Sequence, residues 1–192
     1  MASLINDLKY AYRTGDVGTR LLFVNIGIFL ALTILRITGS FSGVDTLGVI
    51  TPWITANSGW QEMLFKPWTI ITYMFVHMSF WHILSNMILL YFSGRIFESL
   101  LNGKRLLAVY FLGGITGFLI YFIAFYVFPI FSGNAVPILG ASASIMAILV
   151  AIATYSPNME LRLILLGNVK LKYIAIFFVA MDLLFLDQGS NT

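Results

Sequence analysis

The 192 residues are 59% hydrophobic and 10% charged, against roughly 25% charged in ordinary soluble domains, and the mean hydropathy is +0.92. That balance excludes a soluble globular enzyme and makes the lipid bilayer the first partner of the chain. The net charge of +3 is small and spread between apolar runs, so it reads as an orientation signal and implies no nucleic acid partner. Cysteine is absent, which removes disulfides and thiolate metal sites. His77 and His82 are too few for a histidine-built metal centre, so no metal and no cofactor is implied.

In chain order, residues 1–20 form a polar amino-terminal segment in which Lys9, Arg13 and Arg20 stand against Asp7 and Asp16. Leu4, Leu8 and Tyr12 fall on one side of a short helix there, which predicts a surface element lying against headgroups. The apolar run 21–37 is read as a first spanning helix, because its polar lead-in is too long and lacks the small-residue cleavage site of a signal peptide. Residues 39–66 hold Gly, Ser and Pro among apolar residues and predict a long first loop dipping into the interface. Trp53, Trp60, Trp68 and Trp81 all fall between that loop and the next span, which predicts that this stretch follows one membrane face.

Four more spans are predicted at 81–97, 106–128, 140–155 and 173–186, the last two short for a full crossing. Gly113 and Gly117 give the third span a G-x-x-x-G spacing suited to close helix packing. The fourth opens on Gly140-Ala141-Ser142-Ala143-Ser144, almost without side-chain bulk. Lys9, Arg13, Arg20, Arg95, Lys104, Arg105, Arg162, Lys170 and Lys172 share one side of this arrangement, leaving Arg36 and Lys66 on the other. The bias places the amino terminus in the cytoplasm, with a bacterial inner (plasma) membrane as the expected location.

Polar groups at membrane depth mark functional candidates. His82 and Asn86 are four apart, so on a helix they share one face a turn apart. Read simply as packing, such an Asn is interhelical glue. The orientation, however, brings the second span in at His82 and the fourth at Ser142 from the same side, at similar shallow depth. A hydroxyl at a helix start, with unpaired backbone N–H groups beside it and side-chain donors opposite, has the parts of an acyl-transfer site.

H-x-x-x-N in one span with G-x-S in a later one resembles the rhomboid family of intramembrane serine proteases. The long outer loop, Pro67-Trp68 and the run F-V-H-M-S-F-W-H-I-L-S-N extend the resemblance over nearly the whole chain beyond its polar start. The resemblance implies an all-α, polytopic bundle of which five transmembrane helices are present out of an expected six, with residues 21–192 forming the domain. It implies Ser142 as nucleophile, His82, Asn86 and the Ser142 backbone N–H as oxyanion hole, and His77 as a structural histidine, with Gly140 and Ala143 framing the nucleophile. Ser144 is the competing nucleophile, but it lies off the G-x-S spacing, and two residues along a helix point about 200° apart.

Three positions depart from the family pattern. Ala143 replaces the glycine of G-x-S-G, and Trp68-Thr69 replaces Trp-Arg. The general base, a histidine on a sixth helix, has no counterpart, since no histidine follows His82 and the chain stops at Thr192. The domain is therefore expected to be incomplete at its carboxyl end and this form to be inactive, with an empty groove beside Ser142. Asp182, an intramembrane acid, is expected to anchor neighbouring loops. Two functions follow: an intramembrane serine endopeptidase acting on transmembrane substrates, or a non-catalytic relative that binds client transmembrane helices. A small transporter with a broken helix at 140–144 is a third reading, but it requires a matching interruption elsewhere in the chain, and none exists.

Overall fold

The computed structural model describes residues 2–128, 137–163 and 167–185. The side chains of Leu4 and Asp182 lie outside that set, as does Leu186 at the predicted end of the fifth span.

The helices begin where the sequence offers capping oxygens. After α1 (Ala2–Thr14), Asp16 accepts from the Thr19 N–H and starts α2 (Val17–Ser42). Asp45 caps α3 (Thr46–Ile54) in the same way through the Gly48 N–H. The Ser79 hydroxyl accepts from the His82 N–H at the start of α6 (Phe80–Leu100), and the Asn102 side chain accepts from the Arg105 N–H at the start of α7 (Gly103–Val127). Each such cap is worth about 1 kcal/mol. Between α3 and α6 lie two short helices, α4 (Trp60–Phe65) and α5 (Thr69–Thr72), and a 3-10 turn at Tyr73–Phe75. After α7 come α8 (Ser142–Tyr155), strands β1 (Glu160–Leu163) and β2 (Gly167–Lys170), and α9 (Leu171–Phe185).

Three expectations change here. The 39–66 stretch is largely helical, because Asp45 and the apolar residues after it supply a helix start that the Gly and Ser content had masked. A two-stranded antiparallel hairpin, with Glu160 opposite Lys170 and Leu163 opposite Gly167, adds a small sheet to an otherwise helical chain. By length and composition α2 and α7 can cross a bilayer, and a third crossing arises if 69–75 and α6, bent by 93°, count as one broken span. The apolar stretches of α8 and α9, Ser142–Tyr155 and Leu171–Ala180, are shorter, so length and composition alone do not yield five spans.

A helix of 14 residues extends only about 21 Å, and α8 is shielded accordingly: it packs against α6, α7 and α9, burying Ile145, Ile148 and Ile152. A Cβ added at Gly113 would collide with Ala147, and one at Gly117 with Ala143. The G-x-x-x-G face of α7 is thus matched by an A-x-x-x-A face of α8, small residues letting the backbones approach.

Buried polar groups tie the same layer together. The Tyr73 hydroxyl donates to Gly114 O at 2.6 Å, and the Tyr110 hydroxyl donates to Met74 O at 3.1 Å. Asn25 donates to Leu21 O within α2 and faces the Tyr110 hydroxyl at 3.4 Å. At the opposite end of α6, the Glu98 carboxylate accepts from the Val17 and Gly18 N–H groups at 3.0 and 3.2 Å. An acid there meets both the orphan donors and the positive dipole end of α2.

Candidate functional site

The site is assembled where the α6 start meets the turn into α8. Ser79 caps α6, so His82 sits in its first turn and Asn86 one turn later on the same face. Asn86 is buried, and its Nδ2 lies 3.2 Å from His77 Nε2. With the amide donating, His77 accepts at Nε2, which leaves the second Nδ2 hydrogen for another acceptor. His77 is fully buried, and its ring meets that of His82 at 4.9 Å between centroids, inclined at 63°. The resemblance implies a structural role for His77, but its contact with Asn86 across nine residues becomes visible only once the 3-10 turn folds the chain back.

The α8 turn is pinned at three points. Ala56 and Ile138 exchange backbone hydrogen bonds, the Gly140 N–H donates to Tyr73 O at 2.9 Å, and Gly140 itself lies against His82. A Cβ at Gly140 would come within 2.7 Å of His82 Cε1 and Nε2 and 3.8 Å of Asn86 Nδ2. Its φ of +111° is also one that side-chain-bearing residues rarely adopt. Glycine is therefore required twice over, by backbone conformation and by contact.

Two residues on, Ser142 opens α8. Ala141, the N-cap, offers no side-chain acceptor, so the first-turn N–H groups keep the unpaired, electropositive character of a helix start. Ser142 is exposed, whereas Ser144 is buried with its hydroxyl unpartnered among the described residues. No hydrogen bond joins the Ser142 hydroxyl to His82 or Asn86 among the described residues. The structure thus brings His77, His82, Asn86 and Gly140 into contact and sets Ser142 two residues beyond them. Ala143, which replaces the usual glycine, rests against Gly117, which has the space for its methyl group.

Neither of two cavities in the structure lies beside Ser142, where a groove is expected. One, of about 460 Å³, lies between α8 and α9 and is lined by Val150, Ala153, Thr154 and Ala175. The other, of about 280 Å³, lies between α2 and α3. Among the described residues no three His, Asp or Glu side chains gather as metal ligands do.

The Rhomboid domain profile matches residues 64–191, about two thirds of the chain. The chain belongs to the rhomboid family. It is also similar to the presenilin-associated rhomboid-like protein A, mitochondrial, of Danio rerio, with 37% identity over 92 residues. Those residues are 48% of this chain and 23% of that protein, so the chain spans under a quarter of this rhomboid relative's length. The matched domain contains the α6 face, the Gly140 turn and α8, and its apolar helices fit a membrane protein.

Proposed function

We propose that this chain carries the nucleophile and oxyanion hole of an intramembrane serine endopeptidase acting on transmembrane protein substrates. Ser142 attacks the scissile carbonyl, and the oxygen that becomes negative is held by the Ser142 N–H, His82 and Asn86. His77 fixes the Asn86 amide, and Gly140 lets the α8 start approach the imidazole. The observation that carries this reading is the contact of Gly140 with His82 and Asn86, which puts the donors of one helix beside the N-terminus of another. Donors held in place before charge develops cost no reorganisation and are worth roughly 3 kcal/mol each. The amino terminus lies on the cytoplasmic side in this reading, supported by the bias of Lys and Arg.

One observation favours a second reading, in which the chain binds client transmembrane helices without cutting them. His77 is engaged with Asn86 and His82 packs against the His77 ring and Gly140, and among the described residues neither histidine is hydrogen-bonded to Ser142. Serine without a base is a weak nucleophile, and loss of a member of a serine catalytic unit costs orders of magnitude in rate.

Fluorophosphonate labelling of residues 1–192 in detergent, followed as a function of pH, separates the readings. An oxyanion hole without a base predicts slow labelling at Ser142 that rises about tenfold per pH unit above neutrality, as hydroxide does the base's work. Ser142→Ala abolishes it and Ser144→Ala does not. Absence of Ser142 labelling at any pH supports the binding reading, and fast labelling at neutral pH reveals a base among the residues present.

A further inference from the structure

The amino-terminal helix is set off from the span that follows. The Gly15 N–H still donates to Ala11 O at 2.9 Å, but Asp16 stands at φ −65°, ψ 176°, an extended conformation that breaks the helix axis. Only Gly15 and Asp16 separate α1 from the 26-residue apolar helix α2. At 100° per residue, Ile5, Leu8, Ala11 and Tyr12 occupy one arc of about 120°. Lys9 lies about 40° and Arg13 about 80° beyond one edge of that arc, Asp7 lies about 40° beyond the other edge, and Tyr10 stands nearly opposite its centre. Ile5, Leu8 and Tyr12 are 53%, 48% and 44% exposed, so the bundle leaves this arc largely uncovered.

Tyr12 shows which way the arc faces. Its ring meets Phe23 edge-on at 6.0 Å between centroids. Phe23 lies six residues into α2, about 9 Å along the helix. With α2 as a spanning helix, this contact places the Tyr12 ring below the level at which α2 begins. The Arg20 guanidinium donates to Arg13 O at 3.2 Å and holds the end of α1 in this attitude. Asp16 is engaged as the α2 cap, the Glu98 carboxylate is taken up by the Val17 and Gly18 N–H groups, and Asp7 lies about 120–160° around α1 from Arg13 and Lys9, which leaves the flank with Lys9 and Arg13 positive.

We propose that α1 is an interfacial helix docked on anionic phospholipid at the leaflet where the amino terminus lies. Ile5, Leu8 and Tyr12 sit among the upper acyl carbons, and Lys9 and Arg13 meet headgroup phosphates. The proposal needs α2 to span a membrane but is independent of any proteolytic activity.

The absence of cysteine makes the test direct, since a single introduced thiol carries a spin label without background. The full chain bearing Leu8→Cys or Tyr10→Cys is placed in nanodiscs of phosphatidylcholine alone or mixed with phosphatidylglycerol. The expected result is a label at position 8 reached by oxygen and shielded from an aqueous nickel complex, with the reverse at position 10, most clearly in the anionic discs. Lys9→Glu with Arg13→Glu lowers the docked population by roughly fivefold or more per basic residue, while thermal unfolding shows the bundle intact. Equal nickel access at positions 8 and 10 in anionic discs overturns the proposal, as does a docked profile that the charge reversal leaves unchanged. Shielding of position 8 from both reagents would put a protein on the arc and overturns it as well.

Discussion

Gly140→Ala is the sharpest perturbation of the site, because the cost has two separable parts. At φ +111° an L side chain is strained by about 1–3 kcal/mol. The new Cβ would also lie 2.7 Å from two atoms of the His82 ring, a contact that forces movement and costs about 1–3 kcal/mol more. Gly43→Ala and Gly167→Ala isolate the first part: both glycines have positive φ, 68° and 69°, with nothing within 4 Å of an added Cβ. Reversible unfolding in mixed detergent micelles is expected to show Gly140→Ala costing about 2–6 kcal/mol, against about 1–2 kcal/mol for each control. In a double-mutant cycle, His82→Ala removes the obstructing ring, so Gly140→Ala should cost less in that background by roughly 1–3 kcal/mol. Labelling at Ser142 falls in Gly140→Ala and stays level in the controls. If Gly140→Ala matches Gly43→Ala to within about 0.5 kcal/mol and the cycle shows no coupling, the close approach of the α8 turn to His82 is refuted.

Other perturbations follow from the same geometry. Glu98→Ala leaves the Val17 and Gly18 N–H groups without their acceptor and is expected to lower stability by about 1–3 kcal/mol, with Glu98→Gln losing less because one oxygen remains; equal losses in detergent unfolding would contradict the two-acceptor arrangement. Gly117→Ala should cost about 1–3 kcal/mol through its clash with Ala143, and Ala143→Gly should rescue it in the same assay. His77→Ala releases Asn86 and is expected to slow Ser142 labelling, by less than the roughly 10²–10³-fold of removing a donor outright in Asn86→Ala. His77→Gln, which keeps an acceptor for the Asn86 amide, should recover part of that rate.

How much of this was readable in advance depends on the range of the interaction. The shared face of His82 and Asn86 was legible because helix periodicity fixes it whatever surrounds them, and the place of Ser142 at a helix start because the small-residue run 140–144 is a local pattern. The long apolar runs around α2, α6 and α7 declared themselves by hydropathy, to within a few residues at each end. The short helices α3 and α4 did not: α3 holds Gly48 and Pro52, α4 is six residues set between Ser58-Gly59 and Pro67, and only the Asp45 cap betrays a start. The hairpin at 160–170 escaped because its strands are four residues each, too short for alternation to stand out. The contacts of Tyr73 with Gly114, His77 with Asn86 and Glu98 with the α2 start join residues whose pairing is fixed by packing alone. Glu98 carries no local mark in the sequence, and its capping role depends on α2 beginning beside it. The reason Ala143 is tolerated was equally hidden, for it lies in Gly117 on another helix.

The measurement that bears most directly on the assembled site is a structure of the chain carrying an organophosphonate adduct. Phosphorus bonded to Ser142, with its oxygen about 3 Å from the Ser142 N–H, His82 and Asn86, is the expected result. Phosphorus on Ser144, or an adduct on Ser142 whose oxygen turns away from both His82 and Asn86, would contradict it.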